Sequence, residues 1–206
     1  MCQRAHPLFE KAVAYGSYEG ALRDLIHLLK YAQVRPAAAV LGRMLGDAIL
    51  GIAASLPEKL VVVPVPLHER KQRQRGFNQS ELIARAAMKC VNPTGRFEIV
   101  TGALQRIRET GSQIGLTRHQ RRENLRGAFA VKVPGRLADR DVLLVDDVFT
   151  TGTTASECAR VLRKAGVRNI WVATVARTLK VTSIFAVLEE NREEGAEPHL
   201  AVAANG

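Results

Sequence analysis

The feature that most constrains this chain is the apolar run Val142-Leu143-Leu144-Val145, which passes directly into Asp146-Asp147 and then into Thr150-Thr151-Gly152-Thr153-Thr154. A short, β-branched stretch without polar alternation fits a strand buried on both faces of a parallel sheet. Strands of that kind present ligands at their carboxyl ends. The turn that follows offers a glycine for close backbone approach, four threonine hydroxyls, and amides that point outward where a helix begins. The helix N-terminus adds roughly half a positive charge, so the turn favours an anion such as a phosphate monoester. Asp146 and Asp147 would repel that phosphate. They read as acceptors for sugar hydroxyls or as indirect holders of a magnesium ion, which takes few carboxylates and many waters. Two adjacent acids at the end of a buried strand are costly without a ligand or partner.

A phosphate at one end and vicinal hydroxyls beside it describe a ribose 5-phosphate. The segment VLLVDDVFTTGTT closely resembles the phosphoribosyl-pyrophosphate (PRPP) signature of type I phosphoribosyltransferases. The resemblance implies that Asp146 and Asp147 are the catalytic pair on the ribose. It also implies that Thr150, Thr151, Gly152, Thr153 and Thr154 bind the 5-phosphate, and that Mg2+ accompanies PRPP as cofactor with no metal site made of protein ligands alone.

A second run, Val61-Val62-Val63-Pro64-Val65-Pro66-Leu67-His68, is cut off by two prolines that cannot continue a sheet ladder. Arg70, Lys71, Arg73 and Arg75 follow, then Gly76-Phe77-Asn78-Gln79. The expectation is a basic loop at a neighbouring strand end, with Arg70 and Lys71 on the pyrophosphate. PVPLH followed by RGFNQ resembles the ComF branch of these proteins, associated with competence, over roughly residues 15–177. A third stretch, RIRETGSQIGLTRHQRRENLRGAF, again resembles the ComF pattern and corresponds to the mobile flap that closes over PRPP. Its arginines, Arg106, Arg108, Arg118 and Arg122 among them, would repel one another unless an anion sits between them. Read without the family, Thr117 to Leu125 is also consistent with a basic amphipathic helix facing solvent or nucleic acid.

The resulting fold class is α/β: a type I phosphoribosyltransferase fold with a mainly parallel twisted sheet, flanking helices and a small N-terminal helical hood. The hood is expected over 1–55, the core over 56–178, and a partly disordered tail over 179–206. Helices are expected from Tyr18 to Tyr31, from Pro36 to about Ala54 and from Ser80 to Cys90. Strands are expected at Leu60 to Val63, Phe97 to Leu104 and Ala128 to Val133. Asp141 to Val145 and Asn169 to Val175 form a βαβ unit around a helix from Thr153 to Lys164 that stops at Gly166.

Composition sets outer limits. Cys2, Cys90 and Cys158 are too few and too scattered for a disulfide framework or a zinc site, which points to a reducing cytoplasm. ComF proteins often carry a small zinc module whose last cysteine would fall near Cys2; either this lineage dispenses with it or the start was assigned late. No run approaches the roughly eighteen apolar residues of a membrane span, so no membrane insertion is expected. The motifs of kinases, dehydrogenases, zinc proteases and serine hydrolases are missing. The net charge of +10 attracts any polyanion, yet no interleaving of basic and aromatic residues marks a base-stacking surface.

The functional reading is transfer of a 5-phosphoribosyl group to an unidentified nitrogen nucleophile, with pyrophosphate released and a role in competence or DNA uptake implied by the family. Two alternatives stay open. One is a non-catalytic PRPP-sensing or scaffold module. The other is a DNA-uptake accessory protein that binds single-stranded DNA or proteins of the competence machinery. A homodimer is compatible with either.

Overall fold

The computed structural model describes residues 8–109 and 118–178. Strand β1 (Lys11–Ser17) is followed by helices α1 (Gly20–Lys30) and α2 (Ala37–Leu50), strand β2 (Leu60–Pro64), and helices α3 (Glu69–Arg75) and α4 (Gln79–Val91). Strands β3 (Phe97–Ile99) and β4 (Leu104–Arg106), helix α5 (Arg118–Leu125) and strand β5 (Phe129–Val131) come next. Strand β6 (Val142–Phe149), helix α6 (Thr153–Lys164) and strand β7 (Ile170–Arg177) complete the described chain.

The main sheet has five strands in the order β1-β7-β6-β2-β3, and every pairing in it is parallel. Both faces are covered, which explains the unalternating strand sequences. Val62, Leu143, Val145 and Ala173 pack with Ile26 and Leu29 of α1, Leu41, Leu45 and Ile49 of α2, and Ile83 of α4. Val61, Val63, Leu144 and Val172 pack on the opposite side with Cys158 and Leu162 of α6 and with Phe129. Each fully buried leucine or isoleucine contributes about 1.5–3 kcal/mol relative to exposure. Strands β4 and β5 form a separate antiparallel ribbon that leads into and out of the flap region.

Several expectations change. Within the expected helical hood over 1–55, Lys11–Ser17 is strand β1, which joins the edge of the main sheet beside β7. The expected strand from Phe97 to Leu104 is broken by a turn at Gly102, whose φ of 71° only glycine adopts without strain. Its first half pairs with β2 and its second half begins the ribbon. The expected basic loop at Arg70 to Arg75 is helix α3. His68 caps it, with Nδ1 accepting from the Arg70 amide at 3.4 Å, and Glu69 meets Arg73 one turn on at 2.6 Å. Gly76, at φ 76°, ends the helix by donating to the Gln72 carbonyl at 2.8 Å. The tail 179–206 and the flap residues 110–117 lie outside the described residues.

Helices α2 and α4 cross at Gly42, where an added Cβ would fall 2.4 Å from the Ala86 Cβ and 2.9 Å from backbone atoms of Ala86 and Ala87. Alanine gains about 1 kcal/mol over glycine inside a helix, while forced overpacking costs about 1–3 kcal/mol. With backbone among the clashing atoms, the packing penalty wins. Gly42→Ala should therefore lower the urea midpoint without changing the slope of the transition.

Candidate functional site

The site forms where two strands of unequal length diverge. Strand β2 ends at Pro64, opposite Val145, whereas β6 runs on to Phe149 along β7. The acidic pair thus lies inside β6, not beyond its end as the sequence implied, and lacks a β2 neighbour on one side. The start of α4 fills that gap. Asn78 caps α4 by accepting from the Ser80 amide at 3.1 Å and anchors it by donating to the Val65 carbonyl at 3.0 Å. Ser80 then donates its hydroxyl to Asp146 Oδ1 at 2.9 Å.

The two carboxylates are bound differently. Asp146 Oδ1 also accepts from the Asp147 amide at 2.9 Å, and Asp147 Oδ1 accepts from the Val148 amide at 2.8 Å. Asp147 is 5% exposed, and its Oδ2 forms an ion pair with Lys30 Nζ at the end of α1. Burial, and then the charge of Asp147, raise the Asp146 carboxyl to about 7, against the opposing pull of Lys30, the Asp147 amide and Ser80. For Lys30, burial acts to lower the ammonium, but the charge and hydrogen bond of Asp147, with Asp146 behind it, outweigh this and hold it above its ordinary value.

The phosphate turn lies immediately beyond. Gly152 takes φ 73° at the start of α6, and a Cβ there would strike the Phe149 ring at 2.7 Å. Thr151 and Thr153 join hydroxyls at 2.7 Å. A small cavity beside the turn is lined by Asp146, Phe149, Thr150, Gly152, Thr154 and Thr174 among others. The cavity joins Asp146 to Thr150, Gly152 and Thr154, whereas Asp147 turns to Lys30 and does not line it.

The basic residues divide into two groups. His68 bridges Arg106 in parallel register, which sets α3 beside β4. Partial burial, then Arg106 and Arg75, hold the Lys71 ammonium below its usual value, so three cations share this corner. Burial lowers Arg106 as well, and the charge of Asp146 counters that, which couples this corner to the acidic pair. The Arg106 guanidinium lies 5.5 Å from the centre of the Phe129 ring. Arg70 instead points to Glu109 at 3.4 Å and is largely exposed. Arg108 is spent on structure: it donates to the carbonyls of Asn124 and Arg126 at 2.9 and 2.8 Å, capping the end of α5. Helix-end carbonyls thus compete with any anion for this guanidinium. Arg118 and Arg122 fall on α5.

Sequence reasoning missed Ser80 and Lys30. Asn78 followed three residues later by Glu81 is a capping signature that would have placed the start of α4, and with it Ser80, near the strand ends. Lys30 carries no such signal, since it sits off the apolar stripe of α1.

A family model described as uracil phosphoribosyltransferase matches residues 97–191. With the parallel five-stranded sheet and its flanking helices, it gives the fold as that of type I phosphoribosyltransferases. Competence protein F of Haemophilus influenzae is 35% identical over 181 residues, covering 85% of this chain and 76% of that protein. The DNA utilization protein YhgH of Escherichia coli K12 is 33% identical over 182 residues, covering 86% and 77% respectively. Among solved structures, the glutamine PRPP amidotransferase from B. subtilis complexed with ADP and GMP aligns over 80% of this chain and 34% of its own, at 24% identity and a TM-score of 0.44. No helix among the described residues is long and apolar enough to cross a membrane.

The raised Asp146 carboxyl has a consequence for stability. With a folded value near 7 and an unfolded value near 4, the native chain keeps a proton that the unfolded chain has released. Stability contributed by this group therefore falls as pH rises through that window. Asp146→Asn keeps an acceptor for Ser80 but removes the charge. It should unfold at higher urea than the parent near pH 8, with the advantage vanishing near pH 4; an equal gain at both values would show that the carboxyl is not held protonated.

Proposed function

This chain belongs to the family of competence protein F and the DNA utilization protein YhgH, and from that premise we propose that it binds PRPP at the end of β6 and transfers its 5-phosphoribosyl group to a nitrogen nucleophile. The observation that carries this reading is the acidic pair of β6, with Asp147 buried and Asp146 partly so, followed by a glycine turn at a helix N-terminus.

The roles follow from charge. The outward amides and hydroxyls of Thr150 to Thr154 suit a dianionic 5-phosphate, helped by the helix dipole. Asp146 and Asp147, displaced from that anion site along the strand, suit the ribose hydroxyls. Displacement of pyrophosphate passes through an oxocarbenium-like state, and carboxylates near the ring favour the positive charge that develops there. Lys71 and Arg106 supply positive charge where the departing pyrophosphate would lie. Closure of the flap would exclude water, which otherwise competes as nucleophile.

The donor set fits Mg2+ arriving with its ligand. Among the described residues no group of three or more His, Cys, Asp or Glu side chains could cage a metal, and magnesium ordinarily binds one or two carboxylates together with substrate phosphates and waters. Asp146 and Asp147 would hold it, directly or through water, and it would supply neutralisation of the leaving pyrophosphate. No step by the protein's own groups depends on a further metal ligand.

A second reading draws on α3, whose residues from Glu69 to Gln74 are all exposed and which carries Arg70, Lys71, Arg73 and Arg75. The relatives' names tie them to competence and DNA utilization, and such a helix would contact the phosphates of single-stranded DNA. Binding of that kind weakens steeply with salt and does not depend on Asp146 or Asp147.

Calorimetric titration of PRPP with magnesium separates these readings. Wild type should bind with one-to-one stoichiometry, and the Asp146→Asn, Asp147→Asn double variant should lose affinity by about tenfold or more, as expected when charge-assisted hydrogen bonds to a ligand are removed. An unchanged dissociation constant would sink the site assignment. Pyrophosphate release with a panel of nitrogen nucleophiles then distinguishes transfer from binding alone.

A further inference from the structure

The acidic pair already holds a cation of the chain's own. Lys30 closes α1, and its side chain turns inward beside the buried Leu29 instead of outward. It is 17% exposed and ion-paired to an Asp147 side chain that is 7% exposed. Two other oxygens of the pair are served from elsewhere: Ser80 and the Asp147 amide bind Asp146 Oδ1, and the Val148 amide binds Asp147 Oδ1. The oxygen left to Lys30 is Asp147 Oδ2.

A buried ion pair adds little net stability, because desolvating both charges offsets their attraction. Folding alone therefore does not account for an ammonium in this position. What the ammonium does change is the local field. A small cation approaching the same carboxylate meets a fixed positive charge in a low-dielectric pocket, where repulsion is far stronger than in water.

We propose that Lys30 is the resident counter-ion of the acidic pair: it holds the Asp147 carboxylate in place and keeps a free divalent cation out, so that the cation enters only when carried by the ligand's pyrophosphate. The inference rests on the PRPP reading for the identity of that ligand. Its exclusion of free metal stands on the ion-pair geometry alone. Lys30 is thus a positioning residue, acting through Asp147 from the end of α1.

The test uses Mn2+ alone, followed by its electron paramagnetic resonance signal, with no PRPP present. Wild type and Lys30→Arg should leave the ion free. Lys30→Met should take up one equivalent at least about tenfold more tightly, since a repelling charge has been removed from beside two carboxylates. Adding Asp147→Asn to that variant should abolish the uptake. Lys30→Gln is the second neutral variant should the methionine chain not fold, as judged by circular dichroism. Wild type binding Mn2+ as tightly as the neutral variants, or folded neutral variants that stay silent, would overturn the proposal. So would failure of both neutral variants to fold where Lys30→Arg folds, since the ammonium would then be purely structural. Failure of PRPP to bind wild type leaves the Mn2+ difference intact and counts against the proposed ligand instead.

Discussion

Two neighbouring carboxylates on one buried strand are the constraint around which this molecule is arranged. Taking each of them out of water costs on the order of several kcal/mol, a large share of the 5–15 kcal/mol that typically holds a domain together. The chain disperses that cost in three ways. Early termination of β2 at Pro64 opens one side of β6, the capped start of α4 brings Ser80 to Asp146, and α1 delivers Lys30 to Asp147. Each device belongs to a different segment of the chain, so the site exists only once helices α1 and α4 and strands β2 and β6 are all in place.

The arginines show why net charge is a poor guide to ligand surface. Arg96 donates to the carbonyls of Pro57, Ala53 and Leu56, tying the end of the α2 segment to the start of β3. Arg136 and Arg140 share Glu98 at 2.8 and 3.0 Å. Arg108 caps α5. Arg160 pairs with Glu157, which also accepts from the Gly127 amide at 2.7 Å and so pins the base of the flap. These guanidiniums satisfy backbone carbonyls and carboxylates of the protein itself, and a fork of five donors suits them to that use. Arg75 likewise donates to Gln79, and Arg106 lies over the Phe129 ring; with Lys71 they share one corner, where burial and then their repulsion lower the Lys71 ammonium.

How much of this was legible in the sequence follows from the range of each signal. Helix α6 is expected and found over Thr153 to Lys164, and α2 and the strand at Leu60 lie close to their expected bounds, because apolar periodicity and glycine stops are local, whereas the strand at Val142 runs past its apolar stretch to Phe149. The glycine turn and the two aspartates were readable for the same reason. Strand β1 was not, since its partly exposed edge position needs no apolar run. Helix α3 looked like a loop because nothing in ERKQRQR is apolar; caps and an i,i+4 ion pair set its limits. Lys30 was invisible, because its meaning arises from a contact made 117 positions further along the chain, with Asp147.

That contact also bears on why the site is built from charges at all. Well-packed apolar side chains in place of a buried ion pair are often as stabilising or more so, and a carboxyl forced toward neutrality costs stability near pH 8. The pair Lys30 and Asp147, with Asp146 raised to about 7 beside it, is therefore a local expense that the two apolar clusters on either face of the sheet must carry. Sites that break the rules of packing in this way are where function resides. Here the expense buys a pocket in which negative charge is already desolvated and held in position, so that a ribose or its developing cation meets fixed dipoles instead of reorganising water. On the counter-ion proposal Lys30 completes that arrangement, because without it the Asp147 carboxylate would draw a proton or a stray metal before any ligand arrived.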